Sequence, residues 1–172
     1  MAHDPEQLRK EVHDAFAGRP YPGDERLALQ QPGFPGYEGD TVARFFRGRD
    51  WRTLTLEALL ADEELDRNAF MFFMTPEGFT YFLPAFLTLA LDVDGPFDLG
   101  EPLAFKLTAP AEDAPDAWRD DHSRVVSSLS APQQRAVMHV LEYLAGAYEQ
   151  RRYIRNQAQM ALESYWGYLE NE

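Results

Sequence analysis

A mainly α fold, a single-domain helical bundle around a buried, proline-kinked central helix, follows from three features of this 172-residue chain. Capped helix starts recur at Asp4-Pro5, Thr75-Pro76 and Ser130-Ala131-Pro132-Gln133. Apolar residues repeat at the 3.6-residue helical spacing after each of them. The run from Phe79 to Leu91 is apolar nearly all round, as in a helix that the rest of the molecule must cover. Two short apolar segments, 69–74 and 103–108, leave room for a small two-stranded β element, which would make the class α+β.

The first helix starts at the Asp4 cap, carries Leu8, Val12, Ala15 and Phe16 on one stripe, and stops at Gly18. Residues 19–39, rich in proline and glycine, read as a long irregular loop packed by its own Tyr21, Phe34 and Tyr37. A short helix over Asp40–Arg47 buries Val42, Phe45 and Phe46, Trp51 plugs the core behind it, and Thr55 caps another short helix. Thr75 caps the central helix, with Pro76 at its first position and Glu77 at the positive end of its dipole. Pro84 cannot donate to the Thr80 carbonyl, so a bend is expected there. Residues 102–110 alternate like a strand, and 109–129 read as an acidic surface connector anchored by Trp118. After the capping box at Ser130, stripes at Val137, Val140, Leu141, Leu144 and Tyr148 and at Ile154, Ala158, Ala161, Leu162, Tyr165 and Leu169 predict one long helix or two. The polar stretch between the stripes holds no glycine or proline, which favours continuity.

Composition narrows the function. With 45% hydrophobic and 13% aromatic residues the chain can fill a core. No cysteine is present, which removes disulfides and thiolate chemistry. A net charge of −13 argues against nucleic acid and anionic lipid and favours a basic protein partner. The apolar run is shorter than the roughly 20 residues of a bilayer span, and residues 1–10 lack the apolar core of a signal peptide. A cytoplasmic protein without a membrane anchor is expected.

No metal or cofactor site is expected. His3, His13, His122 and His139 do not share ligand spacing. The 92–98 segment has carboxylates like a calcium loop, but Pro96 stands where a third ligand should be. Asp120, Asp121 and His122 are adjacent, which rarely aims side chains at one point, and His139 has Arg135 and Glu142 one turn away on its own helix. The arginines at 44, 47, 49, 52, 151, 152 and 155 either hold an anion or are consumed in internal ion pairs, the plainer account among 29 acids.

The segment FMTPEGFTYFLPAFLTLAL, with RDWRTLTLEALL before it and LSAPQQRAVMHVLEYLA after it, resembles a family of small bacterial proteins that carry a domain of unknown function. The resemblance spans roughly residues 8 to 166 and rests most on Thr75-Pro76-Glu77-Gly78-Phe79 with Tyr81, Leu83 and Pro84. It implies a shared fold and no activity.

Three roles stay open. The first is a non-enzymatic acidic module, of the kind that neutralises a basic bacterial toxin, recognising its partner through Asp62, Glu63, Glu64, Asp66, Asp92, Asp94, Asp98, Glu112, Asp113, Asp116, Asp120 and Asp121. The second is a small-molecule-binding protein or enzyme with a pocket at Thr80, Tyr81, Phe82, Pro84 and Phe86. The third is a helical scaffold or homo-oligomer.

Overall fold

The structure is a computed structural model that describes residues 3–31, 36–151 and 156–171. Eight α-helices follow one another among the described residues: α1 (Pro5–Phe16), α2 (Glu38–Phe46), α3 (Leu56–Ala61), α4 (Pro76–Ala90), α5 (Gly100–Leu107), α6 (Asp116–Ser127), α7 (Ala131–Gln150) and α8 (Gln157–Ser164). Short 3-10 turns at Asp24–Arg26, Trp51–Thr53, Phe70–Phe73 and Trp166–Asn171 punctuate them.

Helix α4 is buried along its whole length apart from Glu77, Thr88 and Leu89, and it packs on α1, α5, α6 and α7. Its cap is the one read from the sequence: the Thr75 hydroxyl accepts from the Gly78 N–H at 3.0 Å. Pro84 lies within the helix. Phe82 meets Phe46 at 4.7 Å between ring centroids, and Phe86 meets Phe70 at 5.5 Å and Phe79 at 6.0 Å. Such aromatic pairs contribute about 0.5–1.5 kcal/mol each beyond the area they bury. One hydrophobic core runs from Leu8 to Trp166.

A close approach fixes where α4 begins. Thr75 donates its hydroxyl to the Arg26 carbonyl at 2.5 Å and its N–H to the Leu27 carbonyl at 3.1 Å, and Leu29 donates to Phe73 at 2.7 Å. The 26–29 backbone therefore lies against the helix start. A Cβ on Gly78 would sit 2.1 Å from the Leu27 carbonyl oxygen, and one on Gly39 would sit 1.6 Å from that of Leu29. Neither position has room for a side chain, so the segment runs between two glycines.

The β element is corrected. No strand occurs among the described residues, and only an isolated bridge pairs Ala28 with Met74. Residues Phe70–Phe73 form a 3-10 turn whose Phe70 and Met71 face the core, and 102–107 lie within α5. The alternation at 103–108 misled because Leu103 and Leu107, four apart, satisfy a helix as well as a strand. Phe105, which a strand would have buried with them, is 56% exposed.

Three boundaries also move. The 109–129 connector contains α6, in which Val125 is buried while Trp118 is exposed rather than an anchor. The 19–39 loop contains a 3-10 turn, and α2 starts within it at Glu38. Tyr21 and Tyr37 pack edge-on against Tyr81 and Phe73, whereas Phe34 lies outside the described residues. The last helical stretch is two helices. Asn156 caps α8 by accepting from Gln159 N–H at 3.1 Å, and its side-chain amide donates to the Ala145 carbonyl at 2.8 Å, tying α8 back to α7. Arg152, Ile154 and Arg155 lie outside the described residues.

Candidate functional site

Arg19 follows α1 and turns its guanidinium inward. Its four terminal N–H groups are consumed: Nη1 reaches the Ser128 carbonyl at 3.0 Å and Gln133 Oε1 at 3.2 Å, and Nη2 reaches Thr80 Oγ1 at 2.7 Å and Ser128 Oγ at 3.0 Å. All four acceptors are neutral. Burial pulls this guanidinium below its ordinary range, and no carboxylate pairs with it among the described residues. The helix starts read from the sequence build this arrangement. Gln133 closes the capping box with Ser130 at 3.0 Å while its amide donates to the Ala15 carbonyl at 3.2 Å, and Thr80 donates back to the Pro76 carbonyl at 2.8 Å.

Above Arg19 opens a cleft of about 870 Å³, walled by 18–22 and Arg26, by Pro76, Glu77 and Thr80 of α4, by Arg124 and Ser127 of α6 with Ser128 beyond it, and by Gln133 of α7. Three arginines face one carboxylate in it. Glu77 accepts from Arg124 Nη2 at 2.5 Å in a largely exposed pair. Arg26, exposed, makes no side-chain hydrogen bond or ion pair with the described residues, although its backbone carbonyl is pinned by Thr75. Tyr21 donates to Asp24 at 2.5 Å, and burial followed by that bond pushes its phenol up.

A second cleft of about 270 Å³ is lined by Arg9, His13, Trp51, Arg52, Leu54, Ala85, Thr88 and Leu89. Its arginines are engaged, Arg9 with the Thr88 carbonyl at 2.7 Å and Arg52 with Asp50 at 3.2 Å. The Trp51 indole N–H is buried without a hydrogen-bond partner among the described residues.

Of the pocket residues expected beside Pro84, Thr80 alone lines the larger cleft, and none lines the smaller. Tyr81, Phe82, Pro84 and Phe86 are buried in the core. The sequence reading missed Arg19, Arg26 and Arg124. The available signal was the capping-box glutamine, whose second lone pair can hold a donor from another element.

The acidic residues divide. Asp62 and Glu64 both hold Arg44, Asp66 caps the Asn68 N–H at 2.9 Å, and Asp94 and Asp116 pair with Arg151 and Arg119. Asp98 accepts from the Tyr148 hydroxyl at 2.8 Å and the Gly100 N–H at 3.0 Å. At 2.7 Å Asp121 meets Lys106, whose side chain is only 8% exposed and whose ammonium lies 5.9 Å and 5.5 Å from the ring centroids of Phe72 and Phe79. Glu63, Asp92, Glu112, Asp113 and Asp120 are exposed, and no hydrogen bond or ion pair holds their side chains among the described residues. His139 bonds Glu11 of α1 at 2.8 Å rather than a neighbour on its own helix, and Glu142 bonds His3 at 2.7 Å. No group of three or more His, Asp or Glu among the described residues is placed to hold a metal ion, and no described helix is long and apolar enough to cross a membrane.

The model of a family of unknown function, DUF6714, matches residues 6–169. The chain belongs to that family. Comparison with curated proteins and with solved structures gives no match. Membership in DUF6714 agrees with a resemblance to a family of unknown function, and it brings no activity with it.

Proposed function

We propose that this protein is a binding module rather than an enzyme, and that it takes an anionic ligand into the cleft over Arg19. The observation that carries the reading is the charge of that cleft: Arg19, Arg26 and Arg124 against Glu77 alone, in a chain of net charge −13. An acidic protein that collects arginines at one concavity and leaves Arg26 without a carboxylate among the described residues attracts anions there against its overall field. The lining has no histidine, and its one carboxylate is paired, which favours binding over acid–base chemistry. A cytoplasmic placement and the expected bend at Pro84 belong to this reading. Calorimetric titration with inorganic phosphate and with succinate at low ionic strength tests it. Saturable binding that falls roughly tenfold in Arg26→Ala is expected, since a charge-assisted hydrogen bond contributes about 1.5–3 kcal/mol. Absence of binding by both anions rejects the reading.

A second reading, recognition of a basic protein such as a bacterial toxin, draws on the exposed carboxylates of Glu63, Asp92, Glu112, Asp113 and Asp120. Their charge steers a cationic partner without being spent inside the molecule. Retention of a basic protein at low salt and its release at high salt test it, and substitution of these five by the corresponding amides abolishes retention.

A further inference from the structure

The sequence segment that stood out most, Thr75-Pro76-Glu77-Gly78, has three of its residues explained by the fold: the cap, the first helical position and the close approach to Leu27. Glu77 is the remainder. A carboxylate near a helix start needs no further reason than the dipole, yet this one leans across the cleft to α6 and takes Arg124.

We infer that Glu77 is an internal stand-in for the ligand, a carboxylate that occupies Arg124 until an incoming oxyanion displaces it. This rests on the reading of the cleft as an anion site and adds how the site is held when empty. The donor inventory supports it. Arg19 has all four terminal N–H groups committed and acts as a fixed charge beneath the cleft. Thr80 and Ser128 give their hydroxyl protons to the Pro76 and Val125 carbonyls, both at 2.8 Å, and receive from Arg19, so they have no proton left for an anion. Ser127 reaches the Arg124 carbonyl only at 3.4 Å. The donors without a partner among the described residues include the Arg26 fork, the second Gln133 amide N–H and the part of Arg124 that Glu77 does not use, beside the weakly held Ser127 hydroxyl.

Glu77 holds Arg124 through one nitrogen, with side-chain exposures of 38% and 61%. An exposed pair of this kind contributes little, so an anion displaces it at a loss of about fivefold in affinity or less. A guanidinium accepts a forked pair of oxygens, which carboxylates and phosphates both present. The ligand class is therefore a small oxyanion that bridges Arg26 and Arg124. The two possible sources, a carboxylic acid and a phosphate, share this chemistry.

Removing the charge at position 77 while keeping its shape must strengthen binding. Wild type, Glu77→Gln, Arg124→Gln and the double variant are titrated with inorganic phosphate and, separately, with succinate at constant low ionic strength, each variant first shown folded by its urea midpoint. Glu77→Gln is expected to bind at least one of the two anions about two- to fivefold more tightly than wild type. Arg124→Gln weakens binding, and in the double variant the gain from Glu77→Gln disappears. The anion showing the larger gain identifies the source. If wild type binds but Glu77→Gln binds no more tightly, or the gain persists without Arg124, the stand-in role is overturned while the cleft remains an anion site. If neither wild type nor Glu77→Gln binds either anion, the cleft reading falls and takes this inference with it.

Discussion

Gly78→Ala and Gly146→Ala make the same chemical change in two helices and should move stability in opposite directions. At Gly78 the added Cβ would lie 2.1 Å from the Leu27 carbonyl oxygen, 2.7 Å from its carbon and 2.8 Å from its Cα, all backbone atoms. The 26–29 segment would have to retreat by roughly 1.3 Å or more to reach ordinary contact. That shift loosens the 3.1 Å bond from Thr75 N–H to Leu27, a loss of about 1 kcal/mol. Overpacking adds about 1–3 kcal/mol, against which the better helix propensity of alanine returns up to about 1 kcal/mol. The net is a destabilisation of about 2 kcal/mol, which for a chain of this size lowers Tm by about 4–8 °C. At Gly146, within α7, a Cβ meets nothing within 4 Å, so only the propensity gain remains and Tm rises by about 2 °C. Differential scanning calorimetry reads both. A Gly78→Ala protein as stable as wild type would refute the close approach, and destabilisation by Gly146→Ala would refute the account of α7.

Thr75→Ala removes the α4 cap and the 2.5 Å bond to the Arg26 carbonyl together, so urea denaturation should show a loss of about 1–2 kcal/mol, and Thr75→Ser should restore most of it. Asp121→Ala strands the Lys106 ammonium near two phenylalanine rings, with an expected loss of about 2 kcal/mol in the same assay, whereas the double change Lys106→Met with Asp121→Leu should recover most of it. His122 has its Nε2 buried without a hydrogen-bond partner among the described residues, and desolvation depresses its pKa below 6.5. Protonation is then disfavoured in the folded state, so its contribution is complete above about pH 6.5 and is lost as pH falls through the depressed value. The stability gap between wild type and His122→Asn should narrow over that interval, and a gap independent of pH would contradict it.

Local rules carried most of the helices. Caps at Asp4, Thr55, Thr75 and Ser130 stand where their side chains predict them, because capping needs only residues within one turn. The misreadings arose where tertiary packing decided. Leu103 and Leu107 fit either period, and only the core they face selects the helix. Asn156 caps α8 and its amide reaches a carbonyl eleven residues earlier, a signal that a search for glycine and proline passes over. The cleft was least legible of all. Arg124 lies about a hundred residues from Arg19 and Arg26 in the chain, and only the docking of α4 against α6 and α7 sets the three around one opening. The acidic runs were visible, but spacing does not tell a carboxylate committed to an internal cation, such as Asp62 or Asp121, from one left to solvent, such as Glu63.

The bonds of Arg19 span 61 residues to Thr80 and 114 to Gln133. Nothing resembling this cavity survives in the unfolded chain, where those partners are scattered. Whatever fills it must therefore favour the native state by mass action, stapling the first helix to the last long one, and heat resistance would rise with the concentration of the occupant.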